Sequence, residues 1–173
     1  MEEPKKSFVN RLSWLVAKNS HRVLTYSQQG KRYYADFVKV PPHKIVVSHN
    51  VMNTDYWLSQ ADADNAKDSF VVLYVGALIS SKRVAELVEA FAMVREYHEA
   101  KLIIVGDGPE KKRIEKQISS LNLDSDVELA GHVSEDIQVY FNRGTILVLP
   151  GLGGMVISQA MCFGLPVICT CLL

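Results

Sequence analysis

Two segments of the sequence carry residues that favour binding of a phosphate. The segment GLGG (151–154) places three glycines directly before a predicted helix. The first N–H groups of a helix lack intrahelical acceptors, and the helix dipole adds partial positive charge there. Lys82 lies in the second segment, GALISSKR, between a predicted strand and a predicted helix, where a lysine acts as a point charge. Together they predict an anion site; the alternative is a tight turn beside a solvated lysine.

These segments belong to a regular alternation of apolar runs and helical stretches that begins at Val71. Apolar runs joined by helical crossovers indicate a parallel sheet with both faces buried. We therefore predict an α/β fold, with a Rossmann-like parallel sheet and helices on both faces. The runs are VVLYVG (71–76), KLIIVG (101–106), VELAG (127–131), TILVLP (145–150) and PVICT (166–170).

The helical stretches show apolar spacing and terminal signals. Pro109 stands at a first-turn position, Ser134 is a candidate cap, and Gly164 followed by Pro166 predicts a helix end. The apolar faces predicted for the first two helices of this unit comprise Val84, Leu87, Val88, Phe91 and Val94, and then Ile114, Ile118 and Leu121.

The pattern predicts three segments. Residues 1–50 form a partial α/β unit with strands at RVLTYS (22–27) and KIVVSHN (44–50); residues 51–70 form a linker; residues 71–173 form the sheet unit. An amphipathic N-terminal helix follows from the spacing of Phe8, Leu12, Leu15 and Val16. We expect this apolar stripe to pack either within this chain or on a missing piece.

Two further strand ends carry candidate residues. GDGP (106–109) lacks the third glycine of the dinucleotide fingerprint, so NAD and FAD binding are not predicted, and Asp107 is a candidate helix cap. GHVS (131–134) offers His132 and Val133, beside which a flat ring can lie. An exposed loop histidine is the alternative, and no acidic partner at metal spacing accompanies it, so we predict no metal site.

Composition limits the class of partner. Lysine plus arginine and aspartate plus glutamate each number 19, so no net charge attracts the chain to nucleic acid or to an acidic membrane. We expect Cys162, Cys169 and Cys171 to be buried thiols in a reducing cytoplasm. Arg11 and Lys18 interrupt the N-terminal apolar residues, so neither a signal peptide nor a membrane span is predicted.

Four segments taken together resemble a known family. VLYVGALISSKRVAELVEAF, KLIIVGDGPEKKRIEK, VELAGHVSEDIQVYF and LPGLGGMVISQAMCFGLPVICT are similar, in order and spacing, to the nucleotide-sugar-binding C-terminal domain of family-4-type glycosyltransferases of the GT-B fold. The stretch from Leu24 to Trp57 resembles the end of that family's N-terminal domain and its linker. The resemblance implies one half of a GT-B fold, truncated at both ends, with the sheet unit incomplete at its C-terminus.

The resemblance implies roles for individual residues. It matches Lys82 to a lysine that contacts the donor diphosphate, and Gly153, Gly154 and Met155 to the helix-start amides that hold the phosphates. It matches residues 131–133 (Gly131, His132 and Val133) to the loop beside the nucleobase.

The sequence departs from the family pattern at three positions. Ala77 stands where the family often has an arginine. The two family carboxylates, separated by seven residues, map to Gly151 and Gln159. The second acid typically binds the ribose, so Gln159 remains a candidate ribose ligand, as a neutral partner. An exposed helix residue without a role is the alternative for Gln159.

The resemblance implies a fragment of a retaining glycosyltransferase that moves a sugar from a nucleotide-diphosphate sugar to a hydroxyl of a glycan or lipid-linked acceptor, in glycan or polysaccharide biosynthesis. We expect no metal, no cofactor and a cytoplasmic location. Any contact with the inner face of a membrane is expected through missing parts. The fragment alone is expected to be inactive or nearly so, and the catalytic residues are unknown. Two alternatives stay open: a nucleotide-sugar epimerase of the same fold, and a non-catalytic nucleotide-binding remnant.

Overall fold

The computed structural model describes residues 8–49, 51–62, 69–151 and 153–170, without the side chains of residues 8–10. The chain divides into two compact units, Met1–Val51 and Met52–Leu173. Among the described residues, no helix is long and apolar enough to cross a membrane.

The first unit is a small α/β element. Its two short strands pair in parallel, Val23 with Ile45 and Thr25 with Val47, and its core is Ala17, Val38, Val40 and Ile45. Ser27 begins the helix between the strands, because its hydroxyl accepts from the N–H of Gly30 at 3.1 Å. The elements are α1 (Phe8–Asn19), β1 (Val23–Thr25), α2 (Gln28–Asp36), a 3-10 turn (Pro42–Lys44) and β2 (Ile45–Val47).

The helix α1 forms where its spacing predicted it, but it buries a different face. Ala17 is buried and the indole of Trp14 donates to the hydroxyl of Tyr33 at 3.1 Å. Leu12, Leu15 and Val16 are each more than half exposed, so the described residues do not cover this stripe, and its packing on a missing piece stays a prediction. The Phe8 side chain lies outside them.

The second unit is a five-stranded parallel sheet in the order β5-β4-β3-β6-β7. Each strand falls within two residues of a predicted apolar run. Its elements are α3 (Thr54–Ser59), β3 (Val71–Val75), a 3-10 turn (Ser80–Lys82), α4 (Val84–Arg95), β4 (Lys101–Val105), α5 (Lys111–Ser120), β5 (Val127–Gly131), α6 (Gln138–Arg143), β6 (Ile146–Leu149), α7 (Met155–Cys162) and β7 (Val167–Cys169).

Burial on both faces explains why the central strands are continuously apolar. Leu73 and Tyr74 of β3 and Leu102 and Ile104 of β4 are fully buried, although successive side chains point to opposite faces. Helices cover both faces, since right-handed crossovers place the helices on opposite sides when the strand order reverses. The Rossmann-like α/β prediction is confirmed.

An aromatic cluster ties α3 to the sheet unit. The ring of Trp57 lies 6.2 Å from the rings of both Phe141 and Phe163, and those two rings stack at 5.1 Å. The N–H of Asp62 and the carbonyl of Gln60 both bond to the side-chain amide of Asn142. The segment predicted as a linker therefore contains a helix that packs within the second unit.

Two predicted helix starts are wrong. Ser134 caps no helix, because the backbone turns again at Asp136 in the left-handed region (φ 57°) and α6 begins only at Gln138. Pro109 precedes the first turn of α5, whose N-cap is Glu110. The predicted end of α7 is confirmed: Gly164 adopts φ 68° and the N–H of Leu165 donates to the carbonyl of Ala160 at 3.0 Å.

The expectation of buried thiols is wrong for one cysteine. Cys169 is exposed on β7, the end strand of the described sheet, while Cys162 of α7 is half-buried. Cys171 lies outside the described residues. The apolar pattern around Cys169 predicted burial, but Ile168 beside it is also 57% exposed.

An ion-pair cluster closes the amino-terminal edge of the sheet. The carboxylate of Asp126 accepts from Nζ of Lys101 at 2.8 Å and lies 3.1 Å from the guanidinium of Arg95. The hydrogen bond from Lys101, together with Arg95, lowers the pKa of Asp126 below its ordinary value. These contacts link the end of α4 to the starts of β4 and β5.

Candidate functional site

The strand order reverses between β3 and β6, and the region outside the carboxyl ends of these two strands is named the crevice. From β3, successive crossovers lead outward to β4 and β5 on one side, whereas β6 and β7 lie on the other. In open parallel sheets, ligands bind where the strand order reverses, outside the carboxyl ends of the strands. The loops that border this point follow β3 and β6, and they carry Lys82 and the glycine segment 151–154.

The loops after β3, β4 and β5 are joined by backbone hydrogen bonds. The N–H of Gly76 donates to the carbonyl of Val105 at 2.9 Å, and the N–H of Gly106 donates to the carbonyl of Gly131 at 2.7 Å. Leu78 bonds to the next loop in both directions, as a donor to Asp107 and as an acceptor from Glu110. These bonds satisfy polar groups that would otherwise need water at the strand ends.

Only glycine fits at position 106 in this arrangement. Its φ is 149°, a region that L side chains rarely adopt, and a Cβ built there would overlap the carbonyl oxygen of Gly76. Asp107, the candidate helix cap, instead accepts from the N–H of Gly108 at 2.7 Å, and α5 has no side-chain cap. The glycine and aspartate of GDGP thus shape the loop.

A buried tyrosine supports the loop after β3 from below. The hydroxyl of Tyr74 donates to the carbonyl of Ala77 at 3.0 Å, and burial raises the pKa of Tyr74 to about 12. The neutral phenol is therefore the form that the fold holds at physiological pH. Ala77 itself is exposed at the edge, where the family often has arginine.

The loop after β6 lies directly against the loop that carries Lys82. Gly151 is buried, and a Cβ built on it would overlap the carbonyl oxygen of Ser81 and lie 2.8 Å from Cα of Lys82. The two segments that the sequence predicts to meet at this edge are therefore in backbone contact. On the other side, the hydroxyl of Thr170 donates to the carbonyl of Pro150 at 2.6 Å.

The lysine sits in a well-defined turn. Ser80–Lys82 form one turn of 3-10 helix, in which the N–H of Lys82 donates to the carbonyl of Ile79 at 2.9 Å. Arg83 then adopts the left-handed conformation (φ 56°), and its guanidinium bonds to the carboxylate of Glu86. Residues with such φ values are uncommon outside glycine, and this one fixes the step from the turn into α4.

The helix α7 begins at the crevice with available backbone donors. Its N-cap, Gly154, contributes no side-chain bond, and no acceptor among the described residues takes the N–H groups of Gly154, Met155 or Val156. A Cβ at Gly154 would meet nothing within 4 Å. Gln159 lies in the second turn of this helix and is half-buried. An anion is favoured at such a helix start.

The predicted base-side residues lie two strands from β3, at the end of β5. Gly131 has φ 72° and open space around it, His132 is exposed, and Val133 packs partly against the core. At the spacing of neighbouring strands, this is about 10 Å from the end of β3. The structure thus places the predicted residues along one edge, with the 131–133 loop at its far end.

No cluster suited to a metal ion is present in the described ranges, where no three His, Cys, Asp or Glu side chains come together. Sequence reasoning missed three residues that shape the edge: Tyr74, Thr170 and the contact role of Gly151. The position of Tyr74, one residue before the end of an apolar strand, was a sequence signal for its supporting role. The roles of Thr170 and Gly151 depend on contacts between distant segments.

The chain matches the family model described as Glycosyl transferases group 1 over residues 55–171. It is 26% identical to Uncharacterized glycosyltransferase MJ1607 of Methanocaldococcus jannaschii, in a match covering 92% of this chain and 45% of the relative. Uncharacterized glycosyltransferase MJ1059 of the same organism is 30% identical, with 86% of this chain and 39% of the relative covered. The chain spans about half the length of these curated relatives.

Solved structures of GT-B glycosyltransferases share the fold. Anabaena Alr3699/HepE, crystallised in complex with UDP and glucose, is 22% identical and superposes with a TM-score of 0.71, covering 91% of this chain and 46% of that one. Staphylococcus aureus TarM, crystallised with UDP among its ligands, is 18% identical with a TM-score of 0.75, covering 96% and 34%. With a family match over more than half its length, the chain belongs to the group 1 glycosyl transferases.

Proposed function

We propose that this chain forms the donor-binding part of a retaining, family-4-type glycosyltransferase that transfers a sugar from a nucleotide-diphosphate sugar to an acceptor hydroxyl. The observation that carries the proposal is the contact between the loop of Lys82 and the loop that opens α7. It places the backbone of Lys82 beside the loop that precedes α7, at the switch point of the sheet, where a cation and a helix N-terminus would both stabilise a diphosphate.

We propose the roles that the resemblance implies for individual residues. Lys82 and the amides at Gly154 and Met155, with Gly153 before them, hold the diphosphate and stabilise its charge as it leaves, an electrostatic contribution that requires no metal. Gly131, His132 and Val133 lie beside the base, and Gln159 binds a ribose hydroxyl as a neutral partner. A neutral bond in place of a charged one weakens donor binding by roughly 1–2 kcal/mol.

The names of the relatives and neighbours support this substrate class. UDP and glucose are bound in the Anabaena structure, and UDP in the TarM structure. One matching relative is the Capsular polysaccharide biosynthesis glycosyltransferase CapM of Staphylococcus aureus. We propose the same classes for the whole enzyme of which this chain is part: a nucleotide sugar, a glycan or lipid-linked acceptor, and a cytoplasmic location.

Thermal unfolding in the presence of UDP, GDP and ADP tests the donor site. A nucleotide at a hundredfold its Kd adds about 2.7 kcal/mol to the free energy of unfolding, so the Tm rises measurably. Lys82→Ala should weaken binding about tenfold or more, because a charged contact is lost. Lys116→Ala, which removes an exposed lysine from α5, is the matched control and should leave binding unchanged.

A shift with none of the three nucleotides would contradict the donor site. Equal losses from Lys82→Ala and Lys116→Ala would show a general charge effect instead. A Tm shift without transfer by any longer form of the enzyme would favour the second candidate, a non-catalytic nucleotide-binding module, which the replacement of both family acids by Gly151 and Gln159 supports.

Transfer by the 173-residue chain alone should be absent or nearly so, because alignment of donor and acceptor supplies much of the rate and most of the acceptor-side domain lies outside this sequence. The measurement is release of nucleoside diphosphate from a nucleotide sugar in the presence of a glycan acceptor. Sustained acceptor-dependent release by this chain would contradict the prediction.

A further inference from the structure

Gly151 stands where the resemblance would place an acid, and its surroundings leave no room for any side chain. A Cβ there would overlap the carbonyl oxygen of Ser81 and lie 2.8 Å and 2.9 Å from Cα and the carbonyl carbon of Lys82. All three atoms are backbone, so no side-chain rotation relieves the overlap. The φ of Gly151 is outside the left-handed region; contact, not conformational freedom, requires glycine here.

Neither partner in this contact can withdraw easily. On one side, the 3-10 turn is closed by bonds from Lys82 to Ile79 and from Arg83 to Ser80. On the other, the end of β6 is held through Thr170, whose hydroxyl donates to the carbonyl of Pro150 at 2.6 Å and whose N–H donates to the carbonyl of Leu149 at 3.3 Å. A side chain at position 151 must therefore displace one of two fixed segments.

We infer that Gly151 is a positioning residue, which sets the separation between Lys82 and the amides that open α7 and thereby tunes the site for a diphosphate. The inference rests on the proposed function. A methyl group at position 151 pushes the Ser80–Lys82 turn away from the helix start. Lys82 and the N–H groups at the start of α7 can then no longer bind the same diphosphate.

The same contact opposes the introduction of an acid at position 151. A glutamate cannot be introduced there without moving the turn that carries Lys82. In this chain, restoring that acid should therefore weaken phosphate binding through displacement of the turn, in addition to any repulsion between the two negative charges.

The test is a double-mutant cycle read by isothermal titration calorimetry. Two ligands are titrated. The first is the nucleotide among UDP, GDP and ADP that binds most tightly, and the second is the nucleoside with the same base. Gly151→Ala should weaken binding of the diphosphate about tenfold, the loss expected for a charged contact, and leave nucleoside binding unchanged. In the Lys82→Ala background, Gly151→Ala should cause no further loss, because the group through which it acts is already absent.

Gly144→Ala is the matched control for packing strain. A Cβ at Gly144 would lie 2.9 Å from Cδ2 of Leu165 and 3.2 Å from Cβ of Leu73, before the start of β6 and away from the carboxyl edge. This variant should lose stability but keep the wild-type ratio of diphosphate to nucleoside affinity. If Gly151→Ala does not fold, Thr170→Val takes its place in the cycle, with a loss of about threefold expected from the released Pro150 carbonyl.

Unchanged diphosphate affinity in folded Gly151→Ala, or in Thr170→Val if it takes its place, would overturn the inference. It would also be overturned if the substitution weakened diphosphate binding as much in the Lys82→Ala background as in the wild type. Equal weakening of diphosphate and nucleoside would also overturn it, because that result indicates a general structural effect. If the wild-type chain binds none of the three nucleotides, the proposed function fails and the inference with it.

Discussion

The two flanks of the crevice are built in different ways. The closed flank comprises the loops after β3, β4 and β5, in which N–H groups of Gly76, Gly106 and Leu78 bond to neighbouring loops. The open flank comprises the loop after β6 and the start of α7, where the N–H groups of Gly154 and Met155 meet no acceptor among the described residues.

The glycines of the two flanks therefore stand in different surroundings. On the closed flank, Gly106 and Gly108 leave room for a neighbouring carbonyl, and a Cβ would overlap it. On the open flank, a Cβ at Gly154 would have nothing within 4 Å, so no neighbouring atom requires glycine there. Gly151 joins the flanks and belongs with the first group. Substitutions that separate stability from binding therefore test the comparison directly.

The largest effect should come from the closed flank. Gly106→Ala should lower the free energy of unfolding by about 3 kcal/mol or more, since it combines an unfavourable φ with backbone overlap against Gly76. Chemical denaturation measures the change. A loss below about 1 kcal/mol would show that the loops after β3 and β4 separate easily, which would contradict a tightly bonded closed flank.

The next effect should appear in binding and not in stability. Gln159→Glu should strengthen binding of the tightest nucleotide by roughly 1–2 kcal/mol, because a carboxylate accepts the ribose hydroxyls more strongly than an amide. Calorimetric titration measures it. Ser158→Glu adds the same charge at an exposed neighbour on α7 and should bring no gain; a gain from both would indicate a nonspecific effect of charge.

A moderate effect should come from the support beneath the closed flank. Tyr74→Phe should cost about 1 kcal/mol, because the carbonyl of Ala77 loses its donor. Since burial raises the pKa of Tyr74 to about 12, the wild type should lose stability as pH rises from 10 towards 12. Unfolding curves across that range check it: the Phe variant should lack this component, and the same decline in both proteins would contradict the assignment.

The smallest change in stability should come from the open flank. Gly154→Ala should alter the free energy of unfolding by no more than about 0.5 kcal/mol, because the added methyl meets open space and the φ of −178° is extended backbone. It is the matched counterpart of Gly106→Ala. A destabilisation as large as that of Gly106→Ala would remove the distinction between the flanks.

The sequence predicted the sheet well because its strands are buried on both faces. Runs such as VVLYVG and KLIIVG have no polar interruption, so the ends of β3 and β4 fell within two residues of expectation. Predictions that depended on exposure were less reliable. Cys169 belongs to an apolar run, but it is exposed on an end strand of the described sheet. The first unit leaves the stripe of Leu12 on α1 exposed.

The candidate site could be located from the sequence but not assembled. Lys82 and the glycine segment were predictable as two loops at one edge, because parallel strands end together. That Gly151 contacts the lysine turn was not predictable, since the contact joins segments far apart in the chain. The sequence alone showed only an absent acid; the structure gives the glycine a steric reason.

The pairing of β3 with β6 has a consequence for how the molecule folds. The crevice lies between these two strands, and the N–H of Val71 reaches the hydroxyl of Thr145 across 74 positions of the chain. Contacts between such distant residues carry a large loop-closure cost and are associated with slow folding. If they form after the barrier, the crevice appears late, and a nucleotide that binds it should slow unfolding while leaving the refolding rate almost unchanged.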